Sequence, residues 1–224
     1  MSGKENIAID DARALVSDQA LWPLVRSFLW DFAPQVHRSW IEGLGLDKLE
    51  HLEQLESNPR VKKHILSSLG VSPCFHAFPK DDWSRLLLLD GTTLESIVKW
   101  LGALACADEL RRVTAGATVR ELKSSLPGIY PEVFGYMMYF KGIDFQRKGD
   151  DANGCGVQDV ISTGVSILVS LLDSLPASLV SRLKFKLPKD LCASASLRLK
   201  QETCVKVLAK LLKLKFPEAY KLCC

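Results

Sequence analysis

Apolar residues recur every three or four positions along most of this chain, which is the spacing of helices that bury one face. The pattern is clearest over residues 92–105, where apolar side chains lie opposite Glu95 and Lys99. Thr92 and Glu95 stand at the spacing of a capping box, so we expect this helix to begin there. The same periodicity predicts further helices near residues 21–32, 46–55, 60–69, 119–122, 157–172 and 204–213.

One segment departs from helical spacing. Residues 183–187 alternate Leu, Lys, Phe, Lys and Leu, which is the period of a half-buried strand, and Pro188 follows them. A single short strand does not change the fold class. We therefore expect an all-α protein, an irregular helical bundle of about 8–10 helices, with one short strand near residues 183–187 as the candidate exception.

Composition along the chain indicates the domain organisation. Residues 1–20 mix charges with short apolar pairs and are expected to form a flexible N-terminal arm, and residues 21–224 are expected to form a single helical domain. Residues 141–156 are polar and rich in glycine, which is typical of a surface loop. This loop is the best candidate for a sub-domain boundary.

Length and hydropathy narrow the class of protein. With 224 residues, 47% of them hydrophobic and 25% charged, the chain can bury an ordinary core without metals or disulfides. No stretch reaches the roughly 18–20 apolar residues that a membrane helix requires. The first twenty residues lack the basic and then apolar regions of an export signal. We therefore expect a cytosolic protein.

Seven cysteines occur without regular spacing. An odd number in a chain without an export signal predicts reduced thiols. Cys74 and His76 could supply two metal ligands, but no second Cys/His pair follows at the spacing of a zinc site. The final pair, Cys223 and Cys224, resembles the tail of a prenylated GTPase, yet the phosphate-binding loop of such a protein is missing. We expect neither a metal nor a cofactor.

The charge is unevenly distributed along the chain. The net charge is +3, but residues 182–221 contain eleven Lys and Arg against three Asp and Glu, whereas residues 1–181 contain eighteen against twenty-three. Such an asymmetry suggests a basic face that binds nucleic acid, a membrane surface or an acidic protein. A solvated helix face balanced by the acidic remainder explains it equally well.

The sequence contains no recognisable catalytic constellation. Its four histidines form no metal-binding HExxH pair, and no Gly-x-Ser-x-Gly segment positions a nucleophile. Arg111 and Arg112 could bind a phosphate or an acidic partner. Adjacent arginines also commonly end a helix, where their charge complements the helix dipole. We therefore expect a protein that is not an enzyme.

Two groups of residues are candidates for binding a partner protein. The first is aromatic and lies near the N-terminus, although core packing explains tryptophans as well. The second is a lysine stripe on the last predicted helix, which equally keeps an apolar helix soluble. A basic surface that binds nucleic acid is the alternative function, but this region carries no recognisable reading helix. The groups are Trp22, Trp30 and Trp40, and Lys206, Lys210 and Lys213.

Three stretches, taken in order, carry a family resemblance. They are the cluster from Phe32 to Trp40, residues 85–127, and residues 181–188 followed by 204–220. The middle stretch begins at Arg85 with its leucines and includes Leu101-Gly102 and Leu110-Arg111-Arg112. In this order and spacing the chain resembles the SctK/YscK/OrgA family of bacterial type III secretion.

The resemblance implies a helical cytosolic adaptor of the sorting platform, beneath the injectisome. Such an adaptor links the pod protein (SctQ type) to the cytoplasmic forkhead-associated domain of the inner-membrane ring protein (SctD type). It implies no catalytic residues, no small-molecule substrate and no nucleic acid. The location would be cytoplasmic, peripheral to the inner membrane at the base of the apparatus. The N-terminal arm, residues 151–156 and the terminal cysteines depart from the family pattern.

Overall fold

A computed structural model describes residues 19–44, 58–71, 78, 82–143, 145, 155–192 and 200–223. Most of the expected N-terminal arm and of the expected loop 141–156 lies outside the described residues, as do the expected helix at 46–55, the Cys74–His76 pair and Cys224. The α-helices of the described residues are α1 Trp22–Trp30, α2 Arg38–Glu42, α3 Pro59–Ser68, α4 Gly91–Ala105, α5 Ala107–Arg112, α6 Gly116–Ser125, α7 Ile129–Tyr136, α8 Val157–Leu171, α9 Ala177–Lys186, α10 Gln201–Lys215 and α11 Pro217–Cys223. Short 3-10 segments lie at Gln19–Leu21, Ala33–Gln35, Asp82–Leu88, Met137–Phe140 and Lys189–Cys192.

The all-α fold is confirmed, because the described residues form helices and no strand. The strand expected at residues 183–187 is wrong, since they continue α9 to Lys186. Over its ten residues, α9 buries Leu179, Arg182, Leu183 and Lys186, which are spaced for one helix face. The alternation of apolar and cationic residues was misleading because Lys186, one of its two cations, lies on the buried face, whereas Lys184 is exposed.

The predicted helix ends were nearly right. The helix expected at 92–105 is α4, but it begins at Gly91, so Thr92 lies in its first turn and not at the N-cap. The helix expected at 60–69 is α3, whose N-cap Asn58 accepts a 3.0 Å hydrogen bond from the Arg60 amide. After Phe216 ends α10, the chain enters a further helix at Pro217.

The chain forms two compact units. Unit 1 combines the described residues up to Gly91 with Leu175–Lys189 and Cys223. Unit 2 combines the described residues of Thr92–Ser174 with those of Asp190–Leu222. Each unit is therefore built from segments that are distant in the sequence.

Unit 1 is organised around the 3-10 segment Asp82–Leu88, which packs against both α1 and α9. Its core includes Phe28, Phe32, Leu86 and Leu183, all fully buried. Phe28 and Phe32 meet edge to face with ring centroids 5.6 Å apart, an arrangement that aromatic rings favour. The interior of this unit is thus apolar and aromatic, which makes the charges inside it notable.

Unit 2 is organised around α8, which packs against α6 and α10. It also crosses α4 at two glycines. A Cβ at Gly102 would stand 1.8 Å from the Val160 carbonyl oxygen, and one at Gly164 would stand 2.0 Å from the Val98 carbonyl oxygen. Glycine is therefore required at both positions, because the two backbones approach too closely for any side chain.

Candidate partner-binding surfaces

The tryptophans of α1 form a pair at the surface of unit 1. Trp22 and Trp30 stand at the two ends of this helix, with ring centroids 5.8 Å apart, and both are half-buried. Leu24 is 43% exposed on the same helix. This edge of unit 1 therefore presents apolar and aromatic surface to solvent.

Trp40 has a different environment within unit 1. Its ring meets Phe185 edge to face at 5.0 Å, and its indole N–H donates a 2.9 Å hydrogen bond to the Leu187 carbonyl oxygen. The Lys189 ammonium lies 5.7 Å from the centre of the Trp40 ring. Trp40 is thus an anchor between α2 and the end of α9, and its ring contacts Phe185 and not the Trp22–Trp30 pair.

Two buried cations, which the sequence analysis missed, lie on α9. Arg182 and Lys186 are each only 2% exposed and stand one helical turn apart. The Arg182 guanidinium donates a 2.7 Å hydrogen bond to the Phe28 carbonyl oxygen and lies 5.1 Å from the centre of the Phe32 ring. A helical interpretation of residues 177–186 could have found both cations, since they share a face with Leu179 and Leu183.

The Lys186 ammonium is held by backbone carbonyls. It donates hydrogen bonds of 2.6 Å and 2.9 Å to the carbonyl oxygens of Leu87 and Leu89, and it lies 4.9 Å from the centre of the Phe28 ring. Burial lowers the pKa of Lys186 from 10.5 to about 7, although the Asp90 carboxylate partly opposes this shift. Near neutral pH this side chain is therefore divided between its charged and uncharged forms.

The arginine pair lies in unit 2. Arg111 and Arg112 are exposed and form the last turn of α5, so they do end a helix. The Arg111 guanidinium lies 5.6 Å from the centre of the Phe134 ring on α7, which is a cation–π distance. One face of the Arg111 guanidinium is thus partly covered by the Phe134 ring.

The predicted lysine stripe lies on α10 of unit 2. Lys206, Lys210 and Lys213 are exposed, and the opposite side of the helix is buried by Cys204, Leu208 and other apolar residues. The Lys210 ammonium lies 5.7 Å from the centre of the Phe140 ring. This contact joins α10 to the 3-10 segment Met137–Phe140.

Lys215, also on α10, contacts α7 and the ring of Trp100. Lys215 forms an ion pair with Glu132 of α7, and its ammonium lies 4.7 Å from the Trp100 ring centre and 4.3 Å from that of Tyr136. Burial opposes the charge, but hydrogen bonds to Glu132 and Tyr136 outweigh burial and raise the pKa of Lys215. The charged form of Lys215 is therefore stabilised, and the ion pair with Glu132 links α7 to α10.

Beside these contacts, unit 2 exposes large apolar side chains. Met138 is 65% exposed, Tyr139 is 48% exposed and Leu214 is 39% exposed. Methionine and aromatic residues are enriched where proteins bind one another, whereas lysine rims supply orientation. We call the combined region the α10 surface, which consists of Met138, Tyr139, Lys206, Lys210, Lys213 and Leu214.

The structure also bears on metals, membranes and thiols. Among the described residues, no group of three His, Cys, Asp or Glu side chains could hold a metal ion. In that same part of the chain, no helix is long and apolar enough to cross a membrane. Cys106, Cys155, Cys204 and Cys223 are buried and not disulfide-bonded, and burial raises the pKa of the Cys204 thiol. Raising that pKa makes the thiol less reactive.

Comparison with known proteins identifies the family. Residues 26–224 match the YscK family, described as YOP proteins translocation protein K. The chain belongs to this family. YscK proteins are type III secretion proteins and are not a known class of enzymes. No curated protein and no solved structure matches the chain.

The match to the YscK family includes nearly all of the predicted binding residues. Of these, Trp22 precedes the matched region, while the remaining seven lie within it. Both cations of α9 and the whole α10 surface also fall inside the match. The family thus accounts for both compact units.

Proposed function

We propose that the protein is a non-enzymatic adaptor of the type III secretion sorting platform. It links the pod protein (SctQ type) to the cytoplasmic domain of the inner-membrane ring protein (SctD type), and secretion depends on this link. The adaptor works in the cytoplasm at the base of the apparatus and meets the membrane only through the ring. The observation that carries this role is the match to the YscK family over residues 26–224.

Two surfaces are suited to the two partners. In unit 2, the α10 surface combines exposed apolar side chains with three exposed lysines. None of these lysines forms an ion pair with a carboxylate of the described residues. In unit 1, the half-buried Trp22–Trp30 pair lies on the same helix as the exposed Leu24. Aromatic and apolar anchors supply most of the affinity of a protein interface, and charge sets orientation and encounter rate.

Purification from secretion-competent cells tests the adaptor role. The tagged protein is expected to recover the pod and ring proteins, identified by mass spectrometry. Replacing Lys206, Lys210 and Lys213 by Glu is expected to reduce recovery of one partner at least tenfold, because like charges then face an acidic surface. In cells that lack the protein, platform assembly and secretion are expected to fail.

A matched variant controls for the change of charge. Lys63, Lys123 and Lys184 are also exposed, and replacing them by Glu changes the net charge equally. This variant is expected to recover both partners like the wild type. Equal recovery by the two triple variants would remove the α10 surface from the proposal. Failure of the wild type to recover either partner would remove the adaptor role.

Because the lysine stripe could also bind nucleic acid, binding to DNA should be measured. A nucleic-acid-binding protein would be retained on DNA near physiological salt and released steeply as salt rises. Its binding releases counterions from the phosphates, and added salt opposes that release. An adaptor is expected to show no such retention. Retention that disappears in the triple variant of α10, with recovery of the pod and ring proteins unchanged, would favour the nucleic-acid function.

A further inference from the structure

Unit 1 contains a half-open cavity of about 340 Å³. Its lining includes the apolar side chains of Leu24, Leu88 and Leu89 as well as Lys186 and Asp90. This volume is at the lower end of the roughly 300–1,000 Å³ typical of ligand pockets. The cavity is therefore large enough for an amino-acid side chain or a small organic acid.

Lys186 is the cation among the residues that line this cavity. Its ammonium donates to the carbonyl oxygens of Leu87 and Leu89, so its hydrogen bonds go to neutral groups and not to a carboxylate. The carboxylate of Asp90 attracts it through space from an exposed position. The buried charge is thus solvated by protein dipoles, and among the described residues no carboxylate forms an ion pair with it.

A second buried cation near Lys186 makes a nearby negative charge more favourable. Arg182 lies one turn earlier on α9, and both cations lie within 6 Å of the centre of the Phe28 ring, at 5.9 Å and 4.9 Å. Two like charges inside an apolar unit repel each other and lose hydration. Buried charges are normally paired, and ionisable groups with a perturbed pKa in clefts are concentrated at functional sites. An anion in the cavity would supply Lys186 with a partner of opposite charge.

We propose that this cavity is a carboxylate-binding pocket that takes a Glu or Asp side chain of a partner protein. The carboxylate lies against the Lys186 ammonium, and its methylene stem lies against the three leucines. Leu24, exposed at the cavity wall, then becomes part of the interface. In naming a protein as the source of the carboxylate, this inference rests on the proposed adaptor function.

Butyrate is a direct probe of the pocket, because it joins a carboxylate to a short apolar stem. Leucine methyl NMR of the purified full chain is expected to show saturable shifts at Leu24, Leu88 and Leu89, and 1-butanol is expected to bind at least tenfold more weakly. Lys186→Met is expected to weaken butyrate binding at least tenfold. Lys184→Met is the matched control, because Lys184 is exposed on the same helix, and it is expected to bind butyrate like the wild type.

The pH dependence tests the same pocket without a variant. Butyrate is expected to bind more tightly near pH 6 than near pH 9, because the Lys186 ammonium loses its proton over this range. The Asp90 carboxylate and the Arg182 guanidinium also lie near this ammonium. Binding that is equal at the two pH values, or equal in Lys186→Met and the wild type, would overturn the pocket.

Recovery of the pod and ring proteins by Lys186→Met tests the source of the carboxylate. A severalfold loss of one partner, with Lys184→Met unaffected, supports a partner's acidic side chain. If butyrate binds and Lys186→Met recovers both partners fully, a protein source is overturned. If the wild type recovers neither partner while butyrate binds, the adaptor function fails and the pocket itself stands.

Discussion

Lys186 is an ionisable group in the interior of unit 1, where backbone carbonyls and an aromatic ring replace its hydration. Its ammonium is compact and strongly hydrated in water, so burial favours the neutral amine. A neutral amine still donates to both carbonyls. As pH rises, Lys186 therefore loses its charge, and its burial destabilises the folded chain less.

We expect the free energy of unfolding to rise with pH because of Lys186. The folded-state pKa of about 7 lies below the ordinary 10.5, so between these values the unfolded chain binds the proton and the folded chain does not. Stability contributed by Lys186 is then gained as pH rises through about 7, on the order of 2–3 kcal/mol between pH 6 and pH 9. Urea unfolding at the two pH values measures it.

Lys186→Met provides the comparison for this pH dependence, since it removes the titrating group. The rise between pH 6 and pH 9 is expected to be smaller in Lys186→Met than in the wild type by that amount. Lys184→Met, whose side chain is exposed, is expected to keep the wild-type rise. A rise of the same size in all three proteins would show that Lys186 titrates normally.

At the scale of elements, unit 2 depends on the crossing of α4 and α8. Gly102 and Gly164 lie at this crossing, and each would direct a Cβ at a backbone carbonyl of the other helix. Both positions are fully inside the helices and buried. Helical propensity alone disfavours glycine there by about 1 kcal/mol relative to alanine, so packing and not propensity selects it.

Gly164→Ala is expected to destabilise unit 2 by more than about 3 kcal/mol, because a backbone carbonyl cannot move aside as a flexible side chain does. Thermal unfolding followed by circular dichroism measures the loss. The matched control is Gly135→Ala in α7, where a Cβ would meet nothing within 4 Å. That change is expected to be neutral or to stabilise by up to about 1 kcal/mol. Similar effects of the two changes would contradict the close crossing.

For the whole molecule, the distribution of charge matters more than its sum. The net +3 combines a basic C-terminal segment with an acidic remainder, and three of the lysines stand exposed on the α10 surface beside Met138 and Tyr139. Electrostatic attraction between exposed charges extends over about a Debye length, whereas apolar side chains stabilise a complex only once they are in van der Waals contact. The two kinds of residue should therefore affect different steps of association.

If the α10 surface binds the pod or ring protein as proposed, we expect salt to slow that association. Raising ionic strength from about 0.1 M to about 1 M shortens the Debye length from about 10 Å to about 3 Å, so the association rate should fall at least tenfold. Tyr139→Ala is expected to raise the dissociation rate instead, with little change in this salt dependence. Surface plasmon resonance separates the two rates. An association rate that salt leaves unchanged would exclude steering by the lysines.

Much of the fold and part of the candidate site could be predicted from periodicity alone. The stripes at residues 92–105 and 157–172 correspond to α4 and α8, because a helix that buries one face must repeat apolar residues every three or four positions. The same rule placed Lys206, Lys210 and Lys213 on the exposed face of α10. Local spacing is sufficient for features that one helix decides by itself.

Only the tertiary structure decided which polar side chains are buried and where backbones meet. Arg182 and Lys186 lie inside because Phe28, Phe32 and the carbonyls of Leu87 and Leu89, all distant in sequence, surround them. Gly102 and Gly164 are separated by more than sixty positions, so no local pattern pairs them. The sequence by itself determined the strongly periodic helices, such as α4, α8 and α10, and their exposed faces. Contacts between remote segments decided the charged interior of α9, the cavity and the helix crossing, because their energies depend on partners that no short window contains.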